Sequence, residues 1–242
     1  LVLMSKHILQ IQPLATPYKI IAADINKSGA VSAVDMVELR KLILFIDTEF
    51  QNNTSWRFVD AEFVFPNANN PWETSFPEVF SVNGLDDDEL GNFVATKIGD
   101  LNGSASPNSI IGSGEDRAYG ELTFAVEDTE MVAGETYTVD FRAKDFTGIL
   151  GYQYTFAFDN SAVEFVDIQA EDLTNLDDSN FGMSMLNEGI ITASWNNSDA
   201  VSLDNDAVLF SMTFVAKSKA LLSDVVSLNS RYTKAEGYNN ND

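Results

Sequence analysis

Hydrophobic residues recur along this chain with two different periods, which divide it into two parts. Near the start, apolar residues recur at the spacing of one helix face in two successive segments. The first segment contains Leu1, Met4, Ile8 and Ile11, and the second, offset by 35 residues, contains Met36, Leu39, Ile43 and Ile46. From residue 119 onward, apolar positions alternate with polar ones instead. The pattern therefore predicts a repeated helical unit followed by a β-rich part.

The β-rich part, residues 119–242, is predicted to be a sandwich. Segments such as ELTFAVE, ETYTVDFRAK and GYQYTFAFD alternate apolar and polar residues, as strands with one face in a core do. The turn-forming sequences AGE, DNS, NEG and LDND separate the segments. At least seven short strands with such spacing indicate a β-sandwich.

Between the two parts, residues 47–97 show no clear period and are rich in asparagine, proline and aromatic residues. Because long loops in compact domains are usually ordered or functional, we interpret this stretch as an ordered insertion that caps the helices. The alternative is that Trp56 and Trp72 stack on sugar rings, since an exposed indole offers an apolar face. Residues 103–118, rich in glycine and serine, are predicted to be a linker.

One polar stretch, ADINKSGAVSAVD at residues 23–35, has the spacing of a calcium-binding loop. Calcium takes oxygen ligands at alternating positions of a loop of about twelve residues, with glycine at the sharp turn, and Gly29 stands at that turn. The predicted ligands are Asp24, Asn26, Ser28, the carbonyl of Ala30, Ser32 and Asp35. The alternative is an acidic turn that caps the following helix.

A second stretch, KIGDLNGSASPNS, carries the first half of the same spacing. Asp100, Asn102 and Ser104 lie two residues apart, as alternate oxygen ligands do. However, Ala105 occupies the position of the loop glycine, and Pro107 stands where a helix would start. We therefore treat these three residues as a candidate second calcium site that would complete the repeated unit.

Composition narrows the classes of function. The net charge is -23 and there is no cysteine, so the chain should repel nucleic acids, attract divalent cations and contain no disulfide. No apolar run is long enough to span a membrane. Hydrolase motifs such as G-x-S-x-G and H-E-x-x-H are missing, and the single histidine, His7, is assigned to a helix. The sequence therefore predicts a non-catalytic protein.

These patterns resemble two known families. The loop with its following helix segment MVELRKLIL makes residues 1–46 similar to a bacterial type I dockerin with a truncated first repeat. That resemblance implies an EF-hand-like calcium module that binds a cohesin, with the Asp24 loop residues as ligands. The string AGETYTVDFRAKDFTGILGYQYTFAFDNSAVEFVDIQ, with GIITASW and AVLFSMTFVAKS after it, resembles a cohesin. Cohesins are jelly-roll β-sandwiches that bind dockerins.

The expected fold class is therefore multidomain, a small α module followed by an all-β domain. A dockerin-like calcium module would occupy residues 1–102, with the insertion at 47–97, a linker at 103–118 and a cohesin-like β-sandwich at 119–242. The chain begins just after the position where a first loop would end, so we expect it to be a segment of a larger protein.

The expected function is calcium-dependent protein–protein interaction of the cohesin–dockerin type in a secreted or surface bacterial protein. The implied cofactor is calcium, and the implied partners are a cohesin or dockerin module and, as a further candidate, a polysaccharide in a binding or degrading system. Two alternatives stay open. One is a carbohydrate-binding module that uses Trp56, Trp72 or Trp195, and the other is an adhesin stalk stiffened by structural calcium.

Overall fold

The computed structural model describes residues 1–84, 88–105 and 122–239. The chain divides into two compact units. The first contains Leu1, Leu3–Leu39 and Glu49–Glu115, and the second contains Val2, Arg40–Thr48 and Asp116–Asp242. The boundaries expected from the sequence stay a prediction, and residues 106–118 of the expected linker lie outside the described residues.

The N-terminal part of the chain folds into short helices and a small antiparallel sheet. The elements are α1 (Val2–Ile8), α2 (Pro17–Ala23), α3 (Ala33–Ile43), β1 (Trp56–Asp60) and β2 (Phe93–Lys97). The start of α2 is fixed by its sequence, because the Thr16 side chain accepts a hydrogen bond from the Lys19 amide at 3.2 Å and Pro17 occupies the first turn. None of the helices in the described residues is long and apolar enough to cross a lipid bilayer.

The ends of α1 and α3 confirm the internal repeat, because they share one backbone geometry. Gln10 and Phe45, 35 residues apart, both adopt a left-handed conformation, with φ of 58° and 55°. In each case the next amide bonds back to a lysine carbonyl at 2.9 Å, at Lys6 and at Lys41. This is the Schellman arrangement that ends a helix. The helix therefore stops at Ile43, and Ile46, which the apolar period had included, lies beyond it and is exposed.

The described residues of the insertion, 47–84 and 88–97, are organised around β1 and β2, which the sequence did not predict. The two strands pair antiparallel, with Trp56 opposite Lys97. Arg57 on β1 is buried and donates two hydrogen bonds to the Glu78 carboxylate, at 2.8 and 2.9 Å. The edge of Phe65 meets the ring of Tyr18 on α2 at 5.6 Å. The insertion is thus held to the helices by aromatic packing and internally by a two-bond ion pair.

The second unit contains the predicted β-sandwich of antiparallel strands. The strands of the first sheet are β3 (Thr123–Ala125), β5 (Thr136–Lys144), β7 (Val163–Ala170) and β10 (Val208–Ala216). Those of the second are β6 (Ile149–Phe158), β8 (Phe181–Gly182), β9 (Ile190–Val201), β12 (Val226–Asn229) and β13 (Glu236–Asn239). The first sheet has the order β3–β5–β10–β7; in the second, β12–β6–β9–β8, β13 also pairs with β6. The described part of the unit also contains a minor pair, β4 (Glu130–Met131) and β11 (Ala220–Leu221), the short α4 (Leu222–Val225), and two 3-10 turns at Asp178–Asn180 and Leu186–Glu188.

The core of the sandwich lies between the two sheets and is dominated by aromatic residues. Phe141 stacks on Phe210 at 4.6 Å, and Phe156 and Phe214 lie beside them. Such burial of large apolar surface is the main stabilising contribution in a sandwich. Tyr152 and Tyr154 on β6 also point into this core and are almost fully buried. They are therefore core residues of the strand, as the sequence pattern suggested.

The ion pair of the insertion generates a stability prediction. Replacing Glu78 with glutamine leaves the buried Arg57 guanidinium without its counter-charge, so the free energy of unfolding should fall by about 2 kcal/mol. The hydrogen bond from Arg57 lowers the pKa of Glu78. The contribution is therefore present above the pKa of an unfolded glutamate and lost as pH falls through the lowered pKa of the folded state. Urea denaturation at several pH values measures both effects.

The matched control for that experiment is Glu130→Gln. Glu130 pairs with Lys219 at a similar distance, 2.8 Å, but both side chains are largely exposed, so the loss should stay within about 0.5 kcal/mol. Equal losses in the two variants would contradict the role given to the Arg57–Glu78 pair.

Candidate functional site

The predicted calcium loop connects α2 to α3 and carries a buried carboxylate at each end. Asp24 caps the C-terminus of α2, and Asp35 lies in the first turn of α3. Both residues are fully buried. The Asn26 amide donates to Asp35 at 3.2 Å, which ties the beginning of the loop to its end. The sequence spacing therefore places the two acids of the loop around one centre.

Backbone amides of the loop point at these carboxylates. Ser28 and Gly29 donate to the two oxygens of Asp24 at 2.8 and 3.0 Å, and Ser32 donates to Asp35 at 2.9 Å. Gly29 makes this curl possible because its φ is 81°, a conformation that costs glycine little. The loop thus folds so that its oxygen-bearing side chains converge.

The electrostatics of the loop favour a cation. Burial raises the pKa of Asp24, and the nearby charge of Asp35 raises it further, whereas the Ser28 and Gly29 amides and the charge of Arg57 oppose the shift. Two buried carboxylates facing one another are unfavourable when both are ionised, and a bound cation would remove that penalty. Asn26, Ser28 and the Ala30 carbonyl supply the neutral oxygens that calcium also takes, so the residues fit that ion.

Two residues of the insertion hold the loop in place, and sequence reasoning had not connected either of them to it. The Asn53 side chain donates to the Asp24 carbonyl at 2.8 Å. Trp72 covers the turn, because a Cβ on Gly29 would lie 3.8 Å from Trp72 Cγ. The dense run of asparagine and aromatic residues was a signal of such packing, but it did not identify the loop as the surface that is covered.

The second candidate loop reproduces the start of the first. Ser104 and Ala105 donate to the two oxygens of Asp100 at 3.1 and 3.0 Å, and Ser104 also donates to Asn102 at 3.1 Å. The Gly99 amide donates to the carbonyl of Ala22 at 2.8 Å, which brings the starts of the two loops together. Asp100 is half-buried, whereas Asn102 and Ser104 are exposed, so this loop is the more open of the two.

Neither loop is rich in charged ligands. Within residues 1–84, 88–105 and 122–239, no three acidic, histidine or cysteine side chains cluster closely enough to hold a metal ion by themselves. A cation in the first loop would have two carboxylates, Asp24 and Asp35, and would complete its shell with neutral oxygens.

A second candidate site lies in the other unit, on the outer face of the sheet that contains β6 and β9. Arg40–Thr48, which this unit includes, lies across that face. Hydroxyl groups of the sandwich donate to three successive carbonyls of the segment: Thr233 to Ile43 at 2.6 Å, Thr192 to Leu44 at 2.7 Å and Ser184 to Phe45 at 3.0 Å. The Leu44 side chain is fully buried.

The centre of the outer face carries hydroxyl side chains that are inaccessible to water. Core residues alternate along β6 and β9 with Thr155, Thr192 and Ser194, which point outward and are at most 2 % exposed. Thr155 accepts the amides of Tyr232 and Thr233 and donates to the Thr233 carbonyl. Because buried polar groups must find partners, this face is built around hydrogen bonds with the segments that cover it.

Three further contacts hold Arg40–Thr48 on this face. Arg40 donates to the Asn196 side chain at 2.8 Å. Burial lowers the pKa of Arg40, and the charge of Asp177 opposes that shift. The ring of Phe45 meets that of Tyr232 edge-on at 5.5 Å. Gly182 on β8 leaves room for the backbone, since a Cβ there would lie 2.3 Å from the Leu44 carbonyl oxygen.

The aromatic residues proposed for sugar binding do not form an exposed platform. Trp195 is 1 % exposed and donates from its indole nitrogen to the Thr174 carbonyl at 2.9 Å. The interpretation of Trp195 as a glycan-stacking residue is therefore wrong, because its faces are packed in the core. Trp56 and Trp72 are half-buried, and Trp72 covers the Asp24 loop.

Comparison with known proteins identifies the second unit. The family model described as the cohesin domain matches residues 122–241, which include every strand of the sandwich. Residues 122–241 are a cohesin domain. No curated protein sequence is significantly similar to the chain.

Solved structures that resemble the chain include three of cohesins. The solution structure of CaCohA2 from Clostridium acetobutylicum is 15% identical, with 50% of this chain and 81% of that chain covered and a TM-score of 0.39. The second type II cohesin of the ScaA scaffoldin of Acetivibrio cellulolyticus is 14% identical, with 49% and 78% covered and a TM-score of 0.38. The Coh-OlpA-Doc918 complex from Clostridium thermocellum is 11% identical, with 48% and 91% covered and a TM-score of 0.35.

The buried carboxylate of the first loop generates a pH prediction. With divalent cations removed by EDTA, ionised Asp24 destabilises the folded state, because its folded-state pKa is raised and such a group loses its stabilising contribution as pH rises through that pKa. Asp24→Asn, which stays neutral, should therefore melt higher than the unsubstituted chain at pH 7. The difference should shrink as the pH is lowered through the aspartate range, which thermal denaturation in EDTA measures.

Asp100→Asn serves as the comparison, because the Asp100 loop is more open. This substitution should therefore raise the melting temperature less than Asp24→Asn does. If Asp24→Asn melted lower than the unsubstituted chain at every pH in EDTA, burial would not be the dominant influence on Asp24.

Proposed function

We propose that this chain is a non-catalytic interaction segment whose cohesin domain binds a dockerin-type protein partner. The observation that carries the proposal is the family match over residues 122–241, the same residues that form the sandwich. Cohesin domains are scaffold modules that act by binding dockerins. Among the similar structures, the Coh-OlpA-Doc918 complex is described as a type I cohesin–dockerin complex. The sixth cohesin of scaffoldin B from Acetivibrio cellulolyticus was solved with a Cel5 dockerin.

We further propose that the first unit is a dockerin-like module held by calcium. Three features of the described residues support this. The Asp24 loop gathers two buried carboxylates, the Asp100 loop repeats its hydrogen bonding, and the two helix ends share one cap geometry. Calcium would be bound by Asp24, Asn26, Ser28, Ala30, Ser32 and Asp35 in the first loop. Asp100, Asn102 and Ser104 would supply ligands in the second.

The setting that we propose is a secreted or cell-surface protein of a bacterial polysaccharide-degrading assembly. Cohesins occur in scaffoldins, as the names of the ScaA and scaffoldin B modules indicate for those proteins. The strongly acidic composition agrees with a medium that contains divalent cations. Contact with the polysaccharide would be made by the assembly, because Trp195 of this chain is buried in the core.

A calorimetric calcium titration tests the role of the loops. The EDTA-stripped chain should bind two calcium ions, one at each loop, because both loops begin with the same oxygen spacing. Asp24→Asn should lose the tighter site, and Asp100→Asn should lose only the weaker one, since its loop is more open. The affinity for calcium should fall as the pH is lowered, because protons compete with calcium for Asp24. If the titration gives no heat of calcium binding, or if Asp24→Asn leaves that heat unchanged, calcium does not bind at this loop.

A binding assay tests the partner class. Immobilised chain should bind at least one member of a panel of type I and type II dockerin modules in the presence of calcium. Leu44→Asp is measured in parallel, because it should release Arg40–Thr48 and expose the outer face. Asp24→Asn should bind as the unsubstituted chain does, since that loop lies in the other unit. If neither the unsubstituted chain nor Leu44→Asp binds any dockerin, the proposed function is wrong.

A further inference from the structure

The outer face of the sheet containing β6 and β9 has the properties of a receptor site, although the chain itself covers it. The last carbonyls of an α-helix have no partners within the helix. Here three successive carbonyls at the end of α3 each receive a hydroxyl from the sandwich, at Thr233, Thr192 and Ser184. The three donors come from separate parts of the cohesin domain, so the face matches the geometry of a helix end rather than one local turn.

The steric fit of the face, as well as its hydrogen bonding, suits that helix end. Any side chain at position 182 would collide with the segment, because a Cβ would lie 2.3 Å from the Leu44 carbonyl oxygen and 3.0 Å from Leu44 Cβ. The same Cβ would also lie 2.3 Å from the hydroxyl oxygen of Thr192, the group that donates to the Leu44 carbonyl. The missing side chain of Gly182 therefore leaves room for the Leu44 carbonyl and the Thr192 hydroxyl together.

The two helix ends of the repeat differ in their burial and in their side chains. The end of α1 has the same backbone as the end of α3, yet Leu9 is 56% exposed whereas its counterpart Leu44 is fully buried. At the positions of Arg40 and Phe45, the first repeat has Ser5 and Gln10. It therefore lacks the guanidinium that reaches Asn196 and the ring that meets Tyr232. The two helix ends therefore share a backbone geometry and differ in these side chains.

We propose that this face is a binding site for the C-terminal end of a loop–helix unit. Arg40–Thr48 is bound there as an intramolecular ligand, and the same segment of a second copy of this chain can replace it. Within one chain the segment is held at a high effective concentration, so the unsubstituted protein stays self-occupied and monomeric. The inference rests on the proposed function only in that the receptor is the cohesin domain.

Complementation between two full-length variants tests the proposal. Gly182→Ala blocks the face but leaves an intact helix end, and Leu44→Asp disables the helix end but leaves an open face. Each variant alone should be monomeric. Mixed in equal amounts, they should form a one-to-one complex of about twice the monomer mass, measured by light scattering during size-exclusion chromatography. The unsubstituted chain at the same concentration should remain monomeric.

Leu9→Asp is the matched control, because it makes the same change at the equivalent position of the first repeat. Its mixture with Gly182→Ala should stay monomeric, since its own Leu44 keeps the face occupied. Near-UV circular dichroism, which senses the buried Trp195, confirms that each variant is folded. Where a variant fails that check, Ser184→Arg replaces Gly182→Ala as the block, and Arg40→Asp replaces Leu44→Asp as the disabled helix end.

Two outcomes would overturn the proposal. If folded variants of both kinds remain monomeric when mixed, Arg40–Thr48 is a fixed part of the domain and not an exchangeable ligand. If Leu9→Asp associates with Gly182→Ala as strongly as Leu44→Asp does, the end of α3 is not what the face recognises. Neither result bears on binding of an external dockerin, because the assay contains none, so failure here is separate from failure of the proposed function.

Discussion

The second unit depends on one constraint: the buried hydroxyl and carbonyl groups on the outer face of one sheet must find hydrogen-bond partners. Thr155 and Thr192 are both fully buried on that face, and a buried hydroxyl without a partner costs about 1–3 kcal/mol. Thr155 finds its partners in the backbone of Tyr232 and Thr233, and Thr192 finds its partner in the carbonyl of Leu44. The covering segments are therefore required by the chemistry of the strands beneath them, and the aromatic core on the opposite side of the sheet is insulated by this polar layer.

The two candidate sites solve opposite problems with opposite backbone groups, amide N–H groups in the loop and carbonyl groups on the sheet face. In the Asp24 loop, amide N–H groups surround buried carboxylates, which leaves excess negative charge for a cation. On the sheet face, hydroxyl donors surround carbonyl oxygens at the end of α3, which neutralises the partial negative charge of a helix terminus. The N-terminal end of α3 thus lies beside acidic oxygens and its C-terminal end beside donors, and both arrangements agree with the direction of the helix dipole.

The sequence predicted the parts of the fold that depend on local periodicity and failed where long-range packing decides. Alternation identified the sandwich, and the 35-residue offset identified the repeated helix end. The strands β1 and β2 were not predicted, because Trp56–Asp60 and Phe93–Lys97 are separated by an irregular stretch and pair only in three dimensions. The proposed ligands of the Asp24 loop were predicted from spacing alone, whereas Asn53 and Trp72, which pack on the same loop, come from a distant segment. No sequence period could have shown that the polar residues of β6 and β9 are buried, since alternation describes which face is polar and not what lies against it.

Gly182 and the hydroxyl donors have a consequence for how this surface can change over evolutionary time. Main-chain oxygens are the same whatever the side chains, so the three hydroxyl contacts impose no sequence requirement on the helix that they hold. Discrimination is confined to the few side chains that differ between the two helix ends, chiefly those at Arg40 and Phe45. A lineage could therefore alter its choice of binding segment by one or two substitutions in the ligand while the receptor strands stay unchanged, and one added methyl group at Gly182 could close the site altogether.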